Sequence, residues 1–310
     1  MSPIKKEGNK YINVATNLQV KNKNTLEYIK SLRIPPAYTN VVINDKNSKI
    51  LAYGYDSKGR KQTIYSKWFI ERQRAKRFDR IIKLNDIFAK IQRDILKNMK
   101  RMCMCKKCAG AGAGVDTIDK KGLISLILQI MILCNFRIGC EKYARENNSY
   151  GLTTLEWKHI HFVSSRKVVI KFIGKKGVEN EADLRDKYAI RCLKMLADGP
   201  NNTRVFRYYD KYYDKKNSGR DEVSVPEPVP HYIRASDVNK FLQKYDPDLT
   251  CKDIRTAMAN YLYIKFYNEN TAEENPKKRQ IAAIKRVAEE LHNTPAVCKS
   301  SYINPAILKY

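Results

Sequence analysis

Leu291-His292-Asn293-Thr294-Pro295-Ala296-Val297-Cys298-Lys299-Ser300-Ser301-Tyr302, near the end of the chain, is the stretch on which the reading of the rest depends. It follows a run from about Pro276 to Leu291 whose apolar spacing predicts a helix. It then sets one tyrosine among polar and basic neighbours. Tyrosine is common here, with 20 among 310 residues, and most such rings pack while the hydroxyl meets water. A side chain becomes a nucleophile only where its surroundings activate it. The reading of Tyr302 therefore rests on cations elsewhere in the chain that could serve a phosphodiester.

Those cations are plentiful. Sixty Lys+Arg against 32 Asp+Glu leave a formal net charge of +28, spread along the sequence. Such an excess suits a polyanion, nucleic acid first, because phosphate neutralisation releases counterions and supplies affinity. A membrane surface is the rival partner, but no long basic amphipathic helix stands out. The start, Met1-Ser2-Pro3-Ile4-Lys5-Lys6, has no apolar run of signal-peptide type. Leu123 to Cys134 carries Ser125 and Gln129 and is too short to span a bilayer, so it reads as a buried helix. Eight scattered cysteines in a chain of this length read as reduced thiols of an intracellular protein. Cys103, Cys105 and Cys108 invite zinc, but no fourth ligand follows at suitable spacing. The expectation there is a Gly/Ala-rich loop without metal.

Upstream of the tyrosine, Thr250-Cys251-Lys252-Asp253-Ile254-Arg255 opens a helix, with Arg255 near the positive end of its dipole. Further back the period is two: His159 to Phe162 and Val168 to Ile173 form a hairpin ending at Gly174-Lys175-Lys176-Gly177, which puts a lysine on a turn tip. Earlier still, a buried helix from Asp116 to about Ile132 leads into Asn135-Phe136-Arg137-Ile138-Gly139. A guanidinium between apolar neighbours needs an anion. An internal salt bridge to Glu141 or Glu146 and a phosphate clamp both meet that need.

Residues 1 to about 85 read mainly as strands, among them Lys10 to Val14, Asn40 to Asn44 and Ile50 to Tyr55, and a helix follows from about Leu84 to Met99. Two basic stretches, Asp56 to Tyr65 and Glu71 to Arg80, read as solvated faces when taken singly. Interleaved with Tyr55, Tyr65, Trp68 and Phe69, they also read as a groove-facing surface where Gln62 and Tyr65 reach base edges. Arg185 to Leu196 and Ala235 to Tyr245 are helices on either side of a polar, tyrosine-rich and then proline-rich loop. There is no internal repeat.

Taken together, Arg137, Lys175, Lys252-x-x-Arg255 and a tyrosine near the C-terminus resemble the catalytic set of type IB DNA topoisomerases, in the small poxvirus-like branch with bacterial and giant-virus members. The resemblance covers nearly the whole chain. Its landmarks are Asp56-Ser57-Lys58-Gly59-Arg60, the arginine-rich stretch to Arg80, Phe136-Arg137-Ile138-Gly139, Tyr150-Gly151-Leu152-Thr153-Thr154-Leu155, Lys171-Phe172-Ile173-Gly174-Lys175, Lys252-Asp253-Ile254-Arg255-Thr256 and Thr294 to Tyr302.

The resemblance implies an α+β fold: a small β-rich N-terminal DNA-binding domain over 1–83, and a larger, mainly helical catalytic domain over 84–310 with a small sheet, closing on duplex DNA as a C-clamp. It implies Tyr302 as the nucleophile of a 3'-phosphotyrosyl intermediate. Arg137 and Arg255 would hold the non-bridging oxygens, Lys175 would be the general acid, and Asn293 a further phosphate contact where poxvirus enzymes have histidine. His292 is the neighbour of that position, not its occupant. Arg60, Gln62, Tyr65, Arg80, Tyr143, Lys252 and Lys299 would meet DNA, and Cys140 stands where poxvirus enzymes have lysine. No metal, cofactor, ATP or membrane is implied. The partner is double-stranded DNA, the state a monomer, and the location intracellular, in the virion and at a cytoplasmic replication site if the source is viral. A tyrosine recombinase or integrase is the alternative, although that family carries His-x-x-Arg where this chain has Lys252-x-x-Arg255.

Overall fold

The computed structural model describes residues 2–8, 10–104, 119–197, 199–209 and 229–309. The chain divides into two compact units, Met1–Arg77 and Phe78–Tyr310. The first is β-rich and the second mainly helical with small sheets, an α+β architecture.

In the first unit, β1 (Ile4–Glu7), β2 (Lys10–Asn13), β3 (Thr39–Ile43), β4 (Ile50–Tyr55) and β5 (Lys61–Tyr65) form a five-stranded sheet in the order β2-β1-β3-β4-β5. Its neighbouring strands pair antiparallel. A helix, α1 (Lys23–Ser31), buries Ile29 with Ile4, Val41, Ile43 and Ala52. Asn22 caps α1 by accepting from the Thr25 amide at 3.0 Å. Only one α1 residue is fully buried, so the sequence offers little helical period, and the expectation of strands and turns missed this helix.

The next helix, α2 (Lys67–Met104), starts well before the expected Leu84. Phe78, Ile81, Leu84, Ile91, Ile95 and Met99 line its buried stripe. In the first turns the stripe is masked by arginines and by the exposed Trp68 and Ile70, and the apolar period emerges only later. The helix α3 (Lys120–Cys134) is apolar on nearly every side and sits in the centre of the main core, as expected of a buried helix. Its N-terminus is capped by Asp119, and Asn135 in the left-handed conformation ends it.

After α4 (Glu141–Asn147), the strands β6 (Ile160–Ser164), β7 (Lys167–Ile173) and β8 (Glu179–Leu184) make a three-stranded antiparallel sheet. In β7, Val168, Ile170 and Phe172 point into the core and alternate with more exposed residues. The third strand adds to the expected hairpin. It went unseen because its Glu179-Asn180-Glu181-Ala182-Asp183 reads as polar, and it is an edge strand that buries chiefly Asn180 and Leu184. Then come α5 (Lys187–Leu196), the short pair β9 (Arg207–Tyr208) and β10 (His231–Tyr232), and α6 (Ala235–Leu242). The C-terminal helices α7 (Cys251–Glu269), α8 (Pro276–Glu290) and α9 (Pro295–Ser301) surround a second core of Leu262, Phe266, Ile284, Val287, Leu291 and Cys298. Proline opens both α8 and α9, behind the caps Asn275 and Thr294.

Among the described residues no helix is long and apolar enough to cross a membrane. Nor do three or more His, Cys, Asp or Glu gather there as a metal site. Cys105, Cys108 and most of the loop expected before Tyr232 lie outside the described residues.

Candidate active site

Arg255 is the most deeply placed of the candidate groups. It lies one turn into α7, and its residue is 3% exposed. The helix start that carries it is held by Asp253, whose carboxylate accepts from the Thr250 amide at 3.0 Å and the Thr250 hydroxyl at 2.6 Å. The Arg80 guanidinium donates to the same carboxylate at 3.2 Å. Arg80 therefore braces the arginine helix from α2. Arg255 Nη2 donates to the Leu291 carbonyl, and the guanidinium carbon sits 5.5 Å from the centre of the Tyr302 ring.

The position of Arg137 follows from a close backbone crossing. The Arg137 carbonyl accepts from the Leu152 amide at 2.9 Å, and the Ile138 carbonyl from the Thr153 amide at 2.8 Å. Gly139 and Gly151 pack against each other so tightly that a Cβ on Gly151 would lie 2.5 Å from the Gly139 Cα. Neither Glu141 nor Glu146 takes Arg137: Glu141 pairs with Arg204 and Arg234, and Glu146 with Arg145. Arg137 Nη2 instead donates to Asn293 Oδ1 at 2.6 Å.

Lys175 stands on the turn between β7 and β8. Gly174 N donates to the Val178 carbonyl at 2.8 Å, and Lys176 and Gly177 both adopt positive φ, which closes the turn and leaves Lys175 exposed. The nearby carboxylates Glu179 and Glu181 are both occupied by Lys171.

Tyr302 is half-buried at the end of α9. Its backbone is fixed by Asn260 on α7, whose Nδ2 donates to the Tyr302 carbonyl at 2.9 Å while its Oδ1 accepts from the Asn304 amide at 2.8 Å. One helix thus supplies Arg255 and anchors the chain just after the tyrosine, on either side of Ile303.

Arg137, Lys175, Lys252, Asn293 and Tyr302 line a single cavity of about 490 Å³, together with Lys176, His292 and Thr294. Arg255 packs beside it against Tyr302. Arg255 Nε and Nη1, Asn293 Nδ2 and His292 Nε2 are buried without a hydrogen-bond partner. Several buried polar groups with bonding capacity to spare thus gather at one place. Burial, and then the adjacent Arg137, depress the proton affinity of Arg255, while Tyr302 opposes them. Burial together with Arg255 and Arg137 also pulls His292 down, which favours its neutral imidazole. Chemically, the arrangement offers hydrogen-bond donors to an oxyanion beside a phenol and an exposed ammonium.

The other candidates do not line this cavity. Arg60, Gln62 and Tyr65 belong to the N-terminal unit. There Asp56 bonds Arg60 at 2.7 Å and accepts from Gln62 Nε2 at 2.9 Å, while Tyr65 is exposed and packs on Phe69. Tyr143 is exposed on α4 and Lys299 on α9. Sequence reasoning missed Asn260. Its only signal is an amide on the buried face of a helix; besides the Thr256 carbonyl one turn back, the partners that matter to the site are more than 40 residues away.

The chain matches the eukaryotic DNA topoisomerase I catalytic core over residues 66–308 and the bacterial DNA topoisomerase IB N-terminal domain over residues 10–56. It is 33% identical over 308 residues to DNA topoisomerase 1B of Acanthamoeba polyphaga mimivirus, covering 96% of this chain and 83% of that protein. DNA topoisomerase I of Monkeypox virus is 25% identical, covering 91% of this chain and 81% of the relative. DNA topoisomerase 1 of Rabbit fibroma virus is 26% identical, at 98% and 88%.

Proposed function

The chain belongs to the type IB DNA topoisomerases, which bind DNA and relax supercoils without ATP, and we propose that in this member Tyr302 carries the strand and Arg137, Arg255, Asn293 and Lys175 carry the chemistry. The Tyr302 hydroxyl attacks phosphorus in line, losing its proton to solvent and forming the phenolic O–P bond as the bond to the 5' oxygen breaks. The products are a 3'-phosphotyrosyl ester and a free 5'-hydroxyl. The pentacoordinate transition state concentrates negative charge on its non-bridging oxygens. Arg137 and Arg255 meet that charge with forked guanidinium donors, and the Asn293 amide adds another. Removing one preorganised donor of this type costs on the order of 10²–10³ in rate. Lys175 gives its proton to the departing 5' oxygen, a transfer worth about 10²–10⁴. Religation is the reverse step. The ester conserves the bond energy, so no nucleotide is consumed.

The observation that carries this reading is the convergence of donors drawn from four distant segments. They gather around Tyr302 with Arg255 Nε and Nη1 and Asn293 Nδ2 still able to bond. The exposed Tyr65, Tyr143 and Lys299, the partly buried Gln62, and Lys252 at the cavity are proposed to meet the duplex. Residues 1–83 are proposed as its DNA-binding domain and 84–310 as the catalytic domain, acting as a monomer away from membranes. Relatives from viruses support a viral source, with action in the virion or at a cytoplasmic replication site.

The test is relaxation of supercoiled plasmid in EDTA without ATP, beside Tyr302→Phe. The parent is expected to relax plasmid and to form a covalent adduct. The variant is expected to bind DNA and do neither. Relaxation by Tyr302→Phe would remove Tyr302 from the mechanism.

A further inference from the structure

His292 lies between the two residues that hold the site's arginines. Leu291 offers its carbonyl to Arg255, and Asn293 offers Oδ1 to Arg137. His292 adopts φ +47 as the left-handed residue that ends α8, its amide donating to the Glu289 carbonyl at 3.0 Å and the next amide, of Asn293, to the Ala288 carbonyl at 2.8 Å; glycine would take this conformation freely. Its ring stacks on Phe136, the residue before Arg137, with centroids 5.4 Å apart and planes at 26°. Phe136 is fully buried and packs edge-on against Phe172 at 4.9 Å, so the imidazole rests on a fixed aromatic wall. His292 lines the same cavity as Arg137, Lys175 and Tyr302, and its Nε2 is buried without a partner. A side chain fixed by the helix stop, oriented by stacking on the cavity wall and left with an unbonded nitrogen, has the attributes of a functional group and not of a filler.

We propose that His292 is a further catalytic residue of this enzyme, its neutral imidazole donating Nε2–H to a non-bridging oxygen of the scissile phosphate beside the donors from Arg137, Arg255 and Asn293. The inference rests on the reading of that cavity as the phosphate site. No bond forms or breaks at the imidazole. It stabilises charge that grows as Tyr302 attacks. Burial first, and then the neighbouring Arg255 and Arg137, favour the neutral ring that this role uses.

The experiment compares the parent with His292→Gly and His292→Asn in single-turnover cleavage, on a duplex carrying a cleavage site first mapped for this protein. Glycine relieves the backbone at φ +47, so His292→Gly is expected to melt no earlier than the parent while cleaving at least tenfold more slowly. Asparagine tolerates the left-handed conformation and keeps a donor, and it is expected to recover part of the loss. Sulfur placed in turn at each non-bridging position of the scissile phosphate separates a direct bond from scaffolding. A direct bond predicts that His292→Gly changes the sulfur effect for one diastereomer alone. Cleavage within twofold of the parent, or slowing that is equal on both diastereomers, overturns the proposal. Tyr302→Phe run alongside keeps the two readings apart. If it blocks adduct formation while His292→Gly cleaves normally, only the role of His292 falls; if it forms adduct, the site itself was misread.

Discussion

Two basic turns of this protein look alike as sequence and differ as objects. Asp56-Ser57-Lys58-Gly59-Arg60 joins β4 to β5, and Gly174-Lys175-Lys176-Gly177 joins β7 to β8. In the first, one carboxylate organises everything around it. Asp56 accepts from the amides of Lys58 and Arg60 at 3.0 Å, from Arg60 Nε at 2.8 Å and from Gln62 Nε2 at 2.9 Å. In the second, neither lysine has a carboxylate partner among the described residues, and the turn is closed by backbone bonds and by the neutral Asn180 amide, which donates to the Val178 carbonyl at 2.8 Å. A basic turn shut on its own acid is a structural piece that also carries charge. A basic turn without one keeps its ammonium for something outside the protein.

The largest effect expected from that contrast is at Lys175. Lys175→Ala should slow single-turnover cleavage by about 10²–10⁴ while leaving duplex affinity within a few-fold, because a general acid acts on the transition state and adds little to binding. A 5'-thiol leaving group, which departs without a proton, should restore most of the rate. Failure of that rescue would mean Lys175 holds charge and does not transfer a proton. Lys176→Ala in the same assay should fall no more than a few-fold, since its neighbour carries the chemistry.

A smaller effect is expected at Arg60. Its guanidinium is engaged by Asp56. Arg60→Ala should therefore leave the dependence of DNA affinity on salt nearly unchanged and lower the melting temperature of the protein slightly. Were Arg60 instead bound to a phosphate of the duplex, its removal would reduce the salt slope by about one. That result would break the comparison, showing that the first turn also faces outward to DNA.

The smallest effect concerns Asp56 itself. Arg60 first, then backbone and Gln62 donors, hold its carboxyl well below the usual carboxylate range. Its contribution to stability is thus complete above the unfolded value of about 3.9 and fades as pH falls through the lower folded value. Asp56→Asn should melt slightly earlier than the parent at neutral pH, and the gap should close as the solution is acidified below about 3.9. A gap that persists in acid would point to damaged turn geometry and not to the missing charge.

How far the sequence could be read depended on where each residue's partners lie. The buried helix around Leu123 to Cys134 and the proline-led α8 show themselves through local period and caps. The start of α2, the helix α1 and the edge strand β8 do not, because each buries few side chains and surrounds them with charge. The site was legible as residue types: an arginine among apolar neighbours, a lysine on a turn, an arginine at a helix start and a tyrosine in a basic tail. The tie from Asn260 to Tyr302 and the stacking of His292 on Phe136 were not legible. They join positions 42 and 156 residues apart, and no local pattern announces them.

The two bonds from Asn260 have a mechanical meaning. In the proposed mechanism, once the phenol is esterified to DNA the severed strand would hang from a single side chain while the duplex beyond it turns. Any tug on that link would enter the protein at residues 302 to 304, where one amide grips the main chain on either side of Ile303. From there the load would pass into α7, five residues from Arg255, so in that mechanism the helix that steadies the phosphate would also be the post to which the rotating DNA is moored.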